Sequence, residues 1–203
     1  MLSPGASTLV PLNIVGKETS LQHSIALSSD AEAINRFAIA RDRLFRPDCW
    51  HELGGKLTAV FTAVDAKGIE KNTALEINEY IKIDIPGPGP TAGDHFDWVQ
   101  VCGIKEGFIA EADESVAIQL KPCANPLGRK KDTAHFFKED ASSTFIIQRE
   151  GSNVYSFYYG RNEVPNNEDV GFGDKVRNSL VATAAIVGLS EIQWKALITG
   201  FLS

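Results

Sequence analysis

The chain has 203 residues, 43% hydrophobic and 23% charged, with a formal net charge of -6 at pH 7. That balance is ordinary for a soluble globular protein and excludes a wholly disordered chain. No apolar run approaches the ~18 residues of a membrane-spanning helix, and the mild acidity disfavours a nucleic-acid partner.

In chain order, residues 1–20 carry Pro4, Gly5, Pro11 and Gly16 without a clear period and read as an N-terminal arm, with 21–203 as one domain. Leu21 to Leu27 is expected as a first strand. Ser29-Asp30-Ala31-Glu32 is a capping box: the serine accepts from the third helical N–H while the glutamate reaches back. Ile34, Phe37, Ala38, Leu44 and Phe45 follow at helical spacing, and Pro47 stops the helix near Arg46. Asp48 to Leu53 reads as one further turn, ended by Gly54-Gly55.

The period then changes to two. Leu57 to Val64 reads as a strand, followed by a turn at Asp65-Ala66-Lys67-Gly68. Leu75 to Ile85 alternates, with Leu75, Ile77, Ile81, Ile83 and Ile85 on one face. Pro86 to Pro90 ends it, because proline cannot donate to a ladder. Phe96 to Cys102 and Ser115 to Leu120 are further strands. Thr144 to Arg149 and the aromatic-rich Asn153 to Gly160 flank a hairpin turn at Glu150-Gly151-Ser152. Helix returns at the end. Asp174 caps a segment with Val176, Leu180, Val181, Ala184 and Val187, and Gly188 closes it. Ser190-Glu191-Ile192-Gln193 then opens a helix with Trp194, Leu197, Ile198 and Phe201.

Strands clustered without intervening helices predict an α+β fold: a strongly curved antiparallel sheet of about six strands, with an N-terminal helix and C-terminal helices covering it. The element order over roughly residues 21–203 is similar to the helix-grip arrangement of START and polyketide-cyclase-like proteins. The resemblance implies a sheet wrapped around a C-terminal helix with a cavity between them. The Gly188-Leu189-Ser190 break departs from the single long terminal helix of that pattern.

Several chemistries fail on spacing. Gly87 to Gly93 resembles a phosphate loop, but Pro88 and Pro90 lack the N–H donors such a loop needs and no Gly-Lys-Ser/Thr follows. Asn166 to Gly171 resembles a calcium loop but lacks the bidentate twelfth ligand, because position 178 is Asn. Arg129-Lys130-Lys131 is a short basic run in a loop, too small for a nucleic-acid patch. Cys49, Cys102 and Cys123 are an odd, widely spaced set that suits neither a disulfide framework nor a structural zinc site. They read as free thiols, and together with an N-terminus unlike a secretory signal they predict a cytoplasmic protein. No cofactor and no metal is called for.

Two clusters remain as candidate ligand-binding residues. His95 and Asp97, two apart, would share one side of a strand, as a two-ligand metal corner or as a base with its orienting acid. His51 and His135 are potential partners, and Trp50 with His51 sits where a cavity entrance would lie. Arg161, Asn162 and Glu163 bring dense hydrogen-bonding capacity just after the aromatic strand. They would either read a ligand or tie down a loop. The leading expectation is non-catalytic binding of a small molecule or a protein partner. The alternatives are an enzyme built on His51, His95, Asp97 and Arg161 in the sheet's concavity, or an assembly subunit that forms a homo-oligomer through the aromatic strand or the arm.

Overall fold

The computed structural model describes residues 4–55, 59–85, 93–110, 113–128, 132–166 and 191–203. The elements in order are α1 (Pro4–Ser7), β1 (Lys17–Ala26), α2 (Asp30–Phe45), a 3-10 turn (Pro47–Cys49), α3 (Trp50–Gly54), β2 (Val60–Val64), β3 (Glu70–Lys71), β4 (Tyr80–Asp84), β5 (Asp97–Ala110), β6 (Asp113–Pro122), β7 (Ser142–Glu150) and β8 (Asn153–Glu163). Residues 191–201 form the terminal helix, α4. The expected cap at Asp174 with its helix, the Gly-Pro loop, the basic run 129–131 and most of the calcium-like loop lie outside the described residues.

The strands form one curved antiparallel sheet in the order β1-β8-β7-β6-β5-β4-β2-β3. It has eight strands rather than about six. The two-residue β3 is too short to show a period in sequence. It pairs with Ala63 and Val64 because the Asp65 carboxylate accepts the Lys67 and Ile69 N–H groups at 2.8 Å and folds the turn back. β1 begins at Lys17, where the expected first strand begins at Leu21. β4 begins at Tyr80, although Leu75 and Ile77 keep the alternation going. Asn78 takes a left-handed φ of 70°, and Ile77 is exposed. The turn's N–H groups are satisfied elsewhere: Leu75 donates to the Phe45 carbonyl and Asn78 to that of Val101, each at 2.9 Å.

The capping box forms. Ser29 accepts the Glu32 N–H at 3.3 Å, and the Glu32 carboxylate reaches back to the Ser28 N–H at 3.1 Å and its hydroxyl at 2.8 Å. α2 then buries Ala33, Phe37, Ala40 and Leu44 on the inner face of the sheet. There they join Trp50, Phe61, Ile81, Val101, Ile118, Phe145 and Tyr158. α4 completes this core with Leu197, Ile198, Phe201 and Leu202. Its last carbonyls, which have no partner within the helix, are taken by α2: Arg36 donates to Leu202 at 2.9 Å, and Arg43 to Gly200 at 3.0 Å and Ser203 at 2.6 Å.

The outer face carries a second cluster of Ala6, Ala117, Ile146 and Phe157, with Leu9, Val10, Tyr155 and Tyr159 packed around it. The stacked aromatics Tyr155, Phe157 and Tyr159 therefore lie outside the main core, because they alternate with Ser156 and Tyr158 on β8. The N-terminal segment lies against this face, with the Leu9 carbonyl accepting from Gln119 at 2.6 Å and Thr144 at 3.1 Å.

Candidate functional site

Arg161, Asn162 and Glu163 are the last three residues of β8, not a loop beyond it, and all three are buried. Arg161 donates to the carbonyls of Thr19 and Gly160 at 2.8 Å and pairs with Glu18 at 3.1 Å. Asn162 holds the N-terminal segment. Its side-chain oxygen accepts the Ile14 N–H at 2.7 Å and the Val15 N–H at 3.2 Å, and its own N–H donates to Asn13 at 2.7 Å. Asn162 also has a left-handed φ of 55°, a conformation that asparagine tolerates better than most residues.

That kink carries Glu163 onto the inner face. Its carboxylate accepts from the Thr19 hydroxyl at 2.7 Å and the Tyr158 hydroxyl at 3.2 Å, and Tyr158 meets Ser143 at 3.1 Å. Gly160 makes room: a Cβ there would collide with the Glu163 carboxylate. Burial pushes the Glu163 carboxyl above its ordinary pKa, while the bonds from Thr19 and Tyr158 hold it back.

Substitution at Asn162 separates the two roles of that residue. Asn162→Ala is expected to lower unfolding free energy by about 2 kcal/mol, through lost hydrogen bonds and a strained left-handed alanine. Asn162→Gly, which keeps the backbone unstrained, should lose about 1 kcal/mol less. Urea unfolding of the two variants checks the difference.

The second cluster does not assemble as its spacing suggested. β5 starts at Asp97, so the shared-side rule does not reach His95. His95 is exposed in the preceding turn with a left-handed φ of 73°. Asp97 is 4% exposed and accepts the Phe136 N–H at 2.8 Å. Burial, only partly offset by that hydrogen bond, pushes its carboxyl up to about 7. His51 is half-buried in α3. His135 is buried, its Nδ1 accepts the Phe137 N–H at 2.9 Å, and burial lowers its pKa to about 3. Among the described residues, no three His, Cys, Asp or Glu side chains come together to hold a metal.

Trp50 lies in the core. Its indole N–H donates to the Arg43 carbonyl at 2.9 Å, and its ring meets Phe61 at 5.3 Å, Phe145 at 5.4 Å and Phe201 at 5.9 Å. With Trp194 packed on Phe145 and Tyr158, these rings fill most of the inner face. Among the described residues a small cavity of about 20 Å3 lies between them, with walls that include Trp50, Phe61, His135, Ser143 and Trp194. That space suits one water.

A much larger space lies on the other side of α4. An open groove of about 850 Å3 runs between the end of α3, the outer face of α4 and Leu21 of β1. Leu53, Gly54, Gly55, Ile192 and Ala196 give it a mostly apolar lining. Glu52, Glu191 and Lys195 add charge. Helical spacing produces both surfaces of α4: Trp194, Leu197, Ile198 and Phe201 turn inward, and Ile192, Lys195, Ala196 and Thr199 turn to the groove. Glu191 is anchored to Lys17 at 2.6 Å, and Lys195 donates to the Gln22 carbonyl. This groove has no local sign in the sequence, because its walls come from three distant segments.

No protein-family model matches the chain, and no curated protein does. Solved structures show distant similarity. A STAR-related lipid transfer protein from Xanthomonas axonopodis is 13% identical, with 91% of this chain and 86% of that one covered and a TM-score of 0.46. Major latex-like protein 151 from Panax ginseng is 12% identical, with 87% and 99% covered and a TM-score of 0.33. Truncated norcoclaurine synthase from Thalictrum flavum is 9% identical, with 93% and 98% covered and a TM-score of 0.33.

Proposed function

We propose that the protein binds a small, largely apolar molecule in the groove between α3 and α4 and performs no chemistry on it. The observation that carries this reading is the groove itself: about 850 Å3, mostly apolar, with a few charged groups at its walls. Small-molecule sites fall in that size range and have that makeup, in which apolar walls supply affinity and sparse polar groups fix orientation. Lys195 and Glu191, each already tethered to β1, are placed to orient a polar end. The three free cysteines support a reducing, cytoplasmic setting.

Thr199 lines the groove and is exposed, so Thr199→Trp fills the space without disturbing the core. The wild-type chain is expected to bind the dye 1-anilinonaphthalene-8-sulfonate saturably. The variant should bind it at least about tenfold more weakly at an unchanged melting temperature. Equal dye affinity in the two proteins rejects the groove as the site.

A further inference from the structure

We infer that two copies of this chain pair about a two-fold axis, each placing Leu12 and Ile14 of its N-terminal segment in the α3–α4 groove of the other. Residues 4–16 contain no charged side chain, in a chain that is 23% charged. The end of this segment is held rigid while its apolar side chains face water. The Asn162 side-chain oxygen accepts the Ile14 and Val15 N–H groups, Asn13 accepts the Asn162 N–H at 2.7 Å, and the Asn13 amide donates to the Gly16 carbonyl at 3.3 Å. Leu12 is nonetheless 83% exposed and Ile14 87%. Single exposed aliphatics are ordinary, but these adjoin another. Lys17, which follows them, reaches Glu191 at 2.6 Å, and Ile192, next to Glu191, is exposed on the lining of the groove. A projection and a recess thus share one surface.

That combination selects a second copy as the partner. A two-fold interface uses the same patch on both copies, so the patch must hold both a projection and the recess that receives it. The groove, about 850 Å3 with mostly apolar walls, is the recess. The projection does not enter its own groove, because Asn162 pins it with the Lys17–Glu191 pair in between. An anionic membrane is disfavoured: Lys17, the cation that ends the segment, is already paired, and the chain carries a net charge of -6. Because the segment is already ordered, burying its side chains costs little further entropy. Three aliphatic side chains and one groove from each copy make an interface at the weak end of the range around ~800 Å2 per partner. The dissociation constant is therefore expected on the order of 100 µM. A projection seated in the groove leaves no room for a guest, so pairing and ligand binding compete. That competition, unlike the pairing itself, rests on the groove being the ligand site.

The test is sedimentation velocity on the full chain from about 1 µM to about 500 µM. Monomer is expected at the low end and dimer at the high end, with nothing larger, because a two-fold contact closes. Leu12→Ser and Ile14→Ser alter exposed side chains outside the core, so the melting temperature should hold while the dimer weakens at least about tenfold. Thr199→Trp, which fills the recess, should weaken it as much. A chain that stays monomeric throughout overturns the proposal, as does a dimer that these substitutions leave intact or a series that grows past the dimer. So does a monomer that cosediments with vesicles of phosphatidylcholine and phosphatidylserine through Ile14, which assigns the projection to a lipid surface. Titration with 1-anilinonaphthalene-8-sulfonate tells this inference from the ligand reading. Its affinity should fall as wild-type protein concentration rises, and should not do so in Ile14→Ser. Groove binding of the dye without a dimer refutes the pairing and leaves the ligand reading standing. A dimer sensitive to Thr199→Trp, with no dye bound in the groove, does the reverse.

Discussion

Asp97→Asn is expected to leave stability nearly unchanged at pH 4 and to raise it by about 4 kcal/mol at pH 8. In the folded chain the Asp97 carboxyl is lifted from 3.8 to about 7, because the Phe136 N–H offsets its burial only in part. Between those values the folded protein holds a proton that the unfolded chain has released. The contribution of Asp97 is therefore complete below pH 4 and is lost as pH rises through 7. About three pKa units at roughly 1.36 kcal/mol each give the expected difference. Asparagine cannot ionise, and its amide oxygen can still accept the Phe136 N–H. His135 works in the opposite sense. Its pKa falls from 6.5 to about 3, so the unfolded chain takes up a proton that the folded one refuses, and stability is lost as pH falls through that window. The two windows overlap from about pH 4 to 6.5, where the wild-type protein should show a shallow slope. In Asp97→Asn the His135 contribution is no longer offset by Asp97, so the slope of stability between about pH 4 and 6.5 should be more positive than in the wild type. Urea unfolding of both proteins at pH 4, 5.5, 7 and 8 reads this directly. A difference between them that does not change with pH would mean that Asp97 is ionised in the folded state.

What the sequence revealed follows how local each determinant is. α2 was legible at both ends, because Ser29, Glu32 and Pro47 act within a few residues of themselves. The strands showed their period, but their limits did not. Leu75 and Ile77 continue the alternation of β4 although a left-handed Asn78 stands between them and the strand. Arg161, Asn162 and Glu163 stood out as a dense polar group, and the structure shows β8 running through them to hold β1 and the N-terminal segment. Their partners in β1 and the N-terminal segment lie more than 140 residues earlier, and no window over the sequence contains both.

Gly200 is the position where the sequence is most misleading and where the second large effect is expected. A glycine inside a helix is weaker than alanine by about 1 kcal/mol, so helix propensity alone recommends Gly200→Ala. The packing opposes it. A Cβ at Gly200 would sit 2.5 Å from the Leu53 carbonyl oxygen, 2.8 Å from the Leu53 Cβ and 2.9 Å from its carbonyl carbon. These are backbone and near-backbone atoms of α3, which cannot rotate away as a side-chain tip can. The collision must push α4 off α3. That shift also strains the Arg43 bonds to Gly200, Phe201 and Ser203 and loosens the buried Leu197 and Phe201. Overpacking of this kind costs about 1–3 kcal/mol and more where backbone must move. We expect Gly200→Ala to lose about 2 kcal/mol net of its propensity gain, and Gly200→Val about 4 kcal/mol, because a branched side chain enlarges the clash. Thr199→Ala, one residue away and exposed, is the control and should change stability by less than about 0.5 kcal/mol. Dye binding in the groove should weaken with the glycine variants, since Gly200 and Leu53 both line it and their separation sets its width. A Gly200→Ala protein more stable than wild type would show that α3 and α4 have slack at their closest approach. The groove between them would then be a loosely set space rather than one fixed by backbone contact.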